Sequence, residues 1–298
     1  MILNASGCLD ALAAPDVARE LDAFVTKTVT PLPREGNAPV RIAETEAGML
    51  NSIGLANPGI DRFVADVLPR LEALAVPIWV SVGGFSADDY ALCCSLLDGR
   101  DEVAAVEVNV SCPNVAAADE AAHEIVRAAR AATGKPLYAK LSPSLADIAA
   151  VALAAAEAGA DGLSLVNTLR GLALDGRTLR PALATATGGL SGPALRSVAL
   201  AAVYTCYAAT ALPVVGMGGV ESGRHALELV AAGASGVALG TILFADPAAP
   251  GRIRAELSAE AARHGFASPL AARGCAHDPV VKVENARPEA RRLSTLKV

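Results

Sequence analysis

Aromatic residues are scarce: five Phe, four Tyr and one Trp make up 3% of 298 residues, and no Lys/Arg cluster is interleaved with them. With a net charge of −6, this excludes an ordinary nucleic-acid or anionic-membrane surface and favours a small-molecule partner. Long apolar runs are also missing. The chain is 53% hydrophobic, but its Ala, Val and Leu runs are broken by Gly, Pro or charge, and none approaches the ~20 residues a membrane span needs. The N-terminus "MILNASGCLD" has no basic stretch leading into an apolar one, so no secretory signal is visible and a soluble, cytoplasmic protein is expected. The six cysteines form no C-x-x-C pair, which fits reduced thiols and gives neither a zinc site nor an iron–sulfur cradle. No metal site is expected. Finally, no G-x-G-x-x-G lies between the first strand and first helix, where an open dinucleotide-binding sheet needs it.

What is present is an alternation of short β-branched runs with Ala-rich amphipathic stretches. Strands are expected at Ile2–Ala5, Ala23–Lys27, Pro77–Val82, Val103–Ser111, Leu137–Ser142, Gly162–Asn167, Pro213–Gly218 and Gly236–Thr241. Helices are expected at Pro15–Leu21, Ile60–Ala75, Ala87–Leu97, Glu120–Thr133, Leu145–Ala158, Gly192–Ala209, Ser222–Ala232 and Pro247–His264. This order predicts an α/β fold, a TIM (β/α)8 barrel spanning residues 1–265, with a doubly wound open sheet as its rival. Active-site inserts follow the second strand (Thr30–Gly59) and the sixth (Thr168–Gly192), on the face where barrel sites are built. After Gly265 periodicity is lost, and residues 266–298 are expected to be a C-terminal tail, mobile or partner-docking.

The stretch "VEVNVSCPNV" (Val106–Val115) begins as an alternating apolar strand and ends in amides, a serine and a cysteine. Other predicted strands end similarly: Asn4 and Ser6, Lys27, Ser81, Lys140, Asn167 and Thr168, Gly218 and Gly219, Gly240 and Thr241. Any one of these is most simply a cap or a loop polar group. Their recurrence at the same structural address predicts one polar site. Lys27 and Lys140 would be costly at a barrel mouth unless they meet an anion; a Schiff-base lysine is the alternative. "GMGG" (Gly216–Gly219), "LGT" (Leu239–Thr241) and "GGLSG" (Gly188–Gly192) are the kind of backbone-amide turns that hold phosphate. Cys93, Cys94 and Cys206 sit in helical runs and read as small hydrophobes. Cys112 lies among polar residues in a loop at the catalytic end, and is the candidate proton acceptor.

In order along residues 1–265, "NASG", "VTKTVTPLPREGN", "MLNSIGLANPG", "VNVSCPNV", "KLSPS", "SLVNTLRG", "GGLSGPA", "GMGGV" and "LGT" resemble class 1 dihydroorotate dehydrogenase. "SIGLANPG" is similar to the NAD-linked 1B catalytic subunit. The resemblance implies a barrel that holds FMN and oxidises dihydroorotate to orotate in pyrimidine biosynthesis, with hydride passing to the flavin and Cys112 as the base. It assigns Lys27, Asn51, Ser52, Ile53, Gly54, Leu55, Asn109, Asn114, Asn167 and Thr168 to the substrate. The flavin is assigned Ala5, Ser6, Lys27, Thr28, Asn109, Lys140, Val166, Gly192, Gly218, Gly219, Gly240 and Thr241. It further implies a separate electron-transfer subunit carrying FAD and a [2Fe–2S] cluster and linking to NAD, alongside a homodimeric core.

Three features depart from the family pattern. The N-terminal hairpin that plugs the barrel floor is almost absent; the loop after "SCPNV" is short and enters a helix through "AAADEAAHEIV"; and Ser81 stands where an asparagine is usual. A shortened lid keeps open a flavoenzyme acting on another cyclic amide or pyrimidine, and a degenerate flavin-binding paralogue without activity.

Overall fold

The computed structural model describes residues 1–110 and 118–277. Eight parallel strands form one sheet in the order β1 (Ile2–Asn4), β12 (Gly236–Leu239), β11 (Val214–Met217), β8 (Gly162–Leu165), β7 (Leu137–Leu141), β6 (Val103–Asn109), β5 (Ile78–Val82) and β2 (Phe24–Val25). A parallel bridge between Leu3 and Ala23 joins the two ends. The barrel is therefore closed, and the open-sheet rival is ruled out.

At that seam the Asn4 side chain replaces strand pairing. Its Nδ2 donates to the Val25 carbonyl at 2.7 Å and its Oδ1 accepts from the Val25 N–H at 2.8 Å, with Asn4 fully buried. Asn4, expected at the barrel mouth, is thus part of the wall.

Helices follow the strands: α1 (Pro15–Arg19), α2 (Ile60–Arg62), α3 (Leu68–Glu72), α4 (Ala87–Asp98), α5 (Ala118–Ala132), α6 (Ile148–Glu157), α7 (Arg196–Thr210), α8 (Gly223–Ala231), α9 (Ile242–Ala245) and α10 (Ala249–Arg263). Local chemistry sets their starts. Ser86, Asp147 and Ser222 cap α4, α6 and α8 by accepting backbone N–H bonds of the first turn. The single helix expected over Ile60–Ala75 is interrupted by a π-helical turn at Phe63–Val67, just ahead of Pro69, which lacks a backbone donor. No helix among the described residues is long and apolar enough to cross a membrane.

Period-two alternation splits the core into two layers. Ile2, Phe24, Val80, Val106, Leu137, Leu163, Val214 and Val237 point outward into the helices. The inner face is smaller: Leu3, Ala23, Val25, Trp79, Ala105, Val215, Met217 and Ala238, with Ala5 and Tyr138 against them. Trp79 and Tyr138 fill the interior with ring centroids 4.4 Å apart. Gly162 makes room for them, since a Cβ there would lie 2.3 Å from Tyr138 Cε1.

The two inserts build a second sheet together. β3 (Ile42–Thr45) and β4 (Gly48–Asn51) come from the first, β9 (Leu169–Leu172) and β10 (Thr187–Ser191) from the second, in the antiparallel order β3-β4-β10-β9. Asn51 donates to the carbonyl of Gly189, 138 positions away, and Thr185 Oγ1 donates to Ser52 Oγ at 2.7 Å. Asn57 ties the base of the first insert to the barrel, accepting from the N–H of Thr30 and Gly59 and donating to Thr30 Oγ1.

Residues 266–277, set apart from the barrel on sequence, pack on it. Ala272 is fully buried, Arg273 donates to the carbonyls of Gly233 and Leu212, and His277 stacks on Tyr204 with centroids 3.9 Å apart. The remainder of the expected tail, 278–298, lies outside the described residues.

Candidate functional site

The strands end at a cavity of about 460 Å³ roofed by the insert sheet, within the range of ~300–1,000 Å³ that ligand sites occupy. Three groups of expected residues line it. Ala5, Ser6, Lys27, Thr28, Asn109, Lys140, Val166, Asn167 and Thr168 come from the ends of β1, β2, β6, β7 and β8; Asn51, Ser52, Ile53, Gly54 and Leu55 come down from the first insert; Gly192, Gly218, Gly219, Gly240 and Thr241 close the far side. Cys112 and Asn114, and the short loop after Val115 as far as Ala117, lie outside the described residues.

Polar contacts set the geometry. Asn167 Nδ2 donates to Asn109 Oδ1 at 3.1 Å, while Asn167 Oδ1 accepts from the Thr168 N–H at 2.8 Å, so two side-chain amides from adjoining regions of the mouth are locked face to face. Tyr90 braces the same wall by donating to the Asn109 carbonyl at 2.8 Å. On the opposite side Ser6 and Thr28 hydroxyls lie 3.3 Å apart, and Thr28 continues to Ser81 at 3.0 Å. Ser81 is fully buried behind Thr28 and is not part of the lining.

Charge in the cavity is mainly cationic. Lys140 is nearly buried, and its Nζ pairs with Glu107 Oε1 at 3.2 Å. Lys27 lies along Gly7; burial, and then the charge of Lys140, push its ammonium below the ordinary lysine range. Burial raises the Cys8 thiol, with Lys140 and Lys27 opposing that shift. Cys93, Cys94 and Cys206 are buried and pushed up to about 12 by burial, as expected of inert thiols.

The glycines of the far side differ in what they show. Gly218 and Gly219 have φ of +129° and +66°, and a Cβ at Gly219 would sit 2.8 Å from Arg196 Cβ and 2.9 Å from the Gly192 carbonyl. The protein's own backbone demands glycine there. Gly240 is different. A Cβ on it would meet only Ala5 Cβ at 3.6 Å and Cys8 Sγ at 3.7 Å, ordinary contacts. Protein packing leaves room for a side chain there, so the fold itself does not require glycine at this position, and the open space lies on the cavity side. Beside it, Thr241 Oγ1 donates to Ser191 Oγ at 2.8 Å. A cradle of glycine backbone facing two lysines fits a phosphorylated, anionic cofactor such as FMN.

Several lining residues were not singled out from the sequence. Gly7, Met49, Ser191, Met217 and Val220 fall within motifs quoted above, and Cys8, Leu195, Glu221 and Ile242 adjoin them, so these could have been read from the sequence; Ile42 and Phe244 lie outside every quoted motif and carry no local signal. Among the described residues no group of three or more His, Cys, Asp or Glu could hold a metal ion.

The family profile for dihydroorotate dehydrogenase matches residues 1–260. The "Dihydroorotate dehydrogenase B (NAD(+)), catalytic subunit" of Desulforudis audaxviator is 47% identical over 264 residues, covering 86% of each chain. The protein of the same name from Geobacter sulfurreducens is 46% identical over 254 residues, covering 83% of each. In structure, ligand-free DHODH from Eimeria tenella superposes with a TM-score of 0.78 at 24% identity, covering 93% of this chain and 89% of that one. The last likeness concerns the fold alone. Profile and relatives, with the order of motifs along the barrel mouth, place the chain in the dihydroorotate dehydrogenase family, on its class 1B branch.

Proposed function

We propose that this chain oxidises dihydroorotate to orotate in pyrimidine biosynthesis, as the FMN-binding catalytic subunit of a class 1B enzyme. The observation that carries this reading is that each described residue that the family resemblance assigned to substrate or flavin lines one and the same cavity.

FMN bound there would supply the two-electron acceptor for hydride from C6 of the substrate. The chain's own residues do the rest. Lys27 holds the substrate carboxylate by charge, and Asn51, Asn109, Asn167 and Asn114 pair with the ring amides, each offering one acceptor and two N–H donors. Thr168, with Ser52 to Leu55 overhead, completes the enclosure. Lys140 places positive charge at the cavity floor, which would offset the negative charge that bound FMN gains on reduction. Gly192, Gly218, Gly219, Gly240 and Thr241 present backbone to the phosphate. Cys112 takes the proton from C5, a role assigned by the resemblance and by its position between Ser111 and Pro113.

Electrons leave through a partner. The relatives named above are catalytic subunits of an NAD-linked enzyme, and this chain carries neither a dinucleotide fingerprint nor clustered cysteines. We assign FAD and [2Fe–2S] to a separate electron-transfer subunit and the catalytic core to a homodimer.

The test is an assay of purified protein with dihydroorotate and a dye, fumarate or NAD⁺, beside Cys112→Ser. A yellow protein active with the dye, inactive with fumarate, and inactive with NAD⁺ until a partner subunit is added is the expected result. Cys112→Ser should keep its flavin and lose most turnover at neutral pH; full activity in that variant would remove the base assignment.

A further inference from the structure

Glu107 is a carboxylate inside a barrel wall. It belongs to β6, whose inner face also carries Ala105 and Asn109, and it is 1% exposed. A charge so far from water is costly unless paired. Its partner is the Lys140 ammonium, 3.2 Å from Oε1, and these side chains are 2% and 7% exposed. The order from the cavity inward is decisive: Lys140 lines the cavity and Glu107 does not. Glu107 therefore makes no direct contact with a ligand in the cavity, and the group it touches there is Lys140.

Among the described residues no other carboxylate pairs with Lys140. The titratable groups among them that face this pair are Lys27 from the end of β2 and Cys8 from the loop after β1, one of them a cation like Lys140. From β8, Ser164 is in register with Lys140; it is fully buried, and no hydrogen-bond partner for its Oγ exists among the described residues. Glu107 is the carboxylate of the floor.

We propose that Glu107 is a positioning residue: it holds the Lys140 ammonium at the cavity floor and thereby raises the reduction potential of the bound flavin. This rests on the reading that the cavity binds FMN with Lys140 at its floor. A lone ammonium in so dry a place is drawn toward solvent, and the floor loses its positive charge.

The experiment is a double-mutant cycle on the midpoint potential of the protein-bound flavin, read by absorbance during redox titration of wild type, Glu107→Gln, Lys140→Met and the double variant. Glu107→Gln should lower the potential in the same direction as Lys140→Met. The expected drop is at least tenfold in the ratio of reduced- to oxidised-flavin affinity, or ~30 mV for a two-electron couple. In the Lys140→Met background the second substitution should change nothing, because its route of action is gone.

An unchanged or raised potential in Glu107→Gln overturns the inference, as does an equal shift in both backgrounds. Should Glu107→Gln fail to fold, Glu107→Asp, which keeps the carboxylate but draws it back from the Lys140 ammonium, takes its place: a lowered potential upholds the proposal and an unchanged one overturns it. A colourless wild-type protein defeats the flavin reading itself and the inference with it, whereas a wild-type potential in Lys140→Met leaves flavin binding standing and overturns the place of Lys140 and, with it, the role of Glu107. A shift in Lys140→Met without one in Glu107→Gln leaves that reading standing and overturns only the role of Glu107.

Discussion

Asn4 and Val25 exchange two hydrogen bonds, side-chain amide against peptide, at the place where the barrel's first and second strands meet. Asn4→Ala strands both the N–H and the carbonyl of Val25 in a dry seam, at a cost of roughly 2–4 kcal/mol. Thermal or denaturant unfolding should show that loss. Asn4→Asp should be no milder, since a carboxylate accepts from Val25 but cannot donate back. A wild-type midpoint in Asn4→Ala would mean the seam is held by other contacts.

Gly162 faces Tyr138 at a distance that admits no Cβ, 2.3 Å from Cε1 and 2.7 Å from Cδ1. Gly162→Ala must displace a ring that is packed on Trp79, and overpacking of this kind costs ~1–3 kcal/mol. The fluorescence of Trp79, the only tryptophan, should shift with the loss of stability; unchanged emission and an unchanged melt would contradict the packing described.

Gly240 and Gly219 should separate cofactor binding from folding. Gly240→Ala keeps the apoprotein's melting temperature, because its Cβ meets nothing closer than 3.6 Å, yet weakens FMN binding tenfold or more in a titration. Gly219→Ala, at φ +66° and crowded by Arg196 and Gly192, should lower the melting temperature itself. Equal flavin affinity in wild type and Gly240→Ala would show that the ligand does not approach there.

Lys27 sets a pH dependence. Its folded-state pKa is depressed, by burial first and Lys140 second, so its charge costs stability below that pKa, and the penalty vanishes as pH rises through the unfolded value. Ligand binding has the opposite need, since a carboxylate requires the ammonium. Orotate affinity should therefore fall as pH rises through the depressed pKa, earlier than for an ordinary lysine. Lys27→Met should bind at least tenfold more weakly at pH 7 and lack this limb. The same profile in both proteins would exclude Lys27 from carboxylate binding.

Truncation after Gly265 tests the strap formed by residues 266–277. It exposes the pocket of Ala272 and removes the Arg273 bonds to Gly233 and Leu212, so the shortened protein should melt lower; an unchanged melt would contradict the packing of this strap.

The eight barrel strands were legible because each is a short, mainly apolar run with its own turn signals. Site residues were legible for a related reason: Lys27, Asn109, Lys140 and Asn167 stand where apolar alternation gives way to polar groups. Glu107 was not, since within "VEVNV" an alternating charge reads as a solvated face, and its partner lies 33 positions on. The insert strands were missed because β4 pairs with β10 across most of the barrel, and "TGGLS" has no strand propensity of its own. Residues 266–277 read as tail because a few long-range bonds, not a periodic apolar face, hold them.

The pairing of β4 with β10 also defines a unit of inheritance. The cavity roof is one sheet written in two places, with Asn51 bonded to Gly189 and Ser52 to Thr185 across the join. Grafting residues 30–59 from a homologue would bring half a roof to a foreign edge. Recombination that moves substrate preference between relatives must carry residues 168–192 in the same exchange.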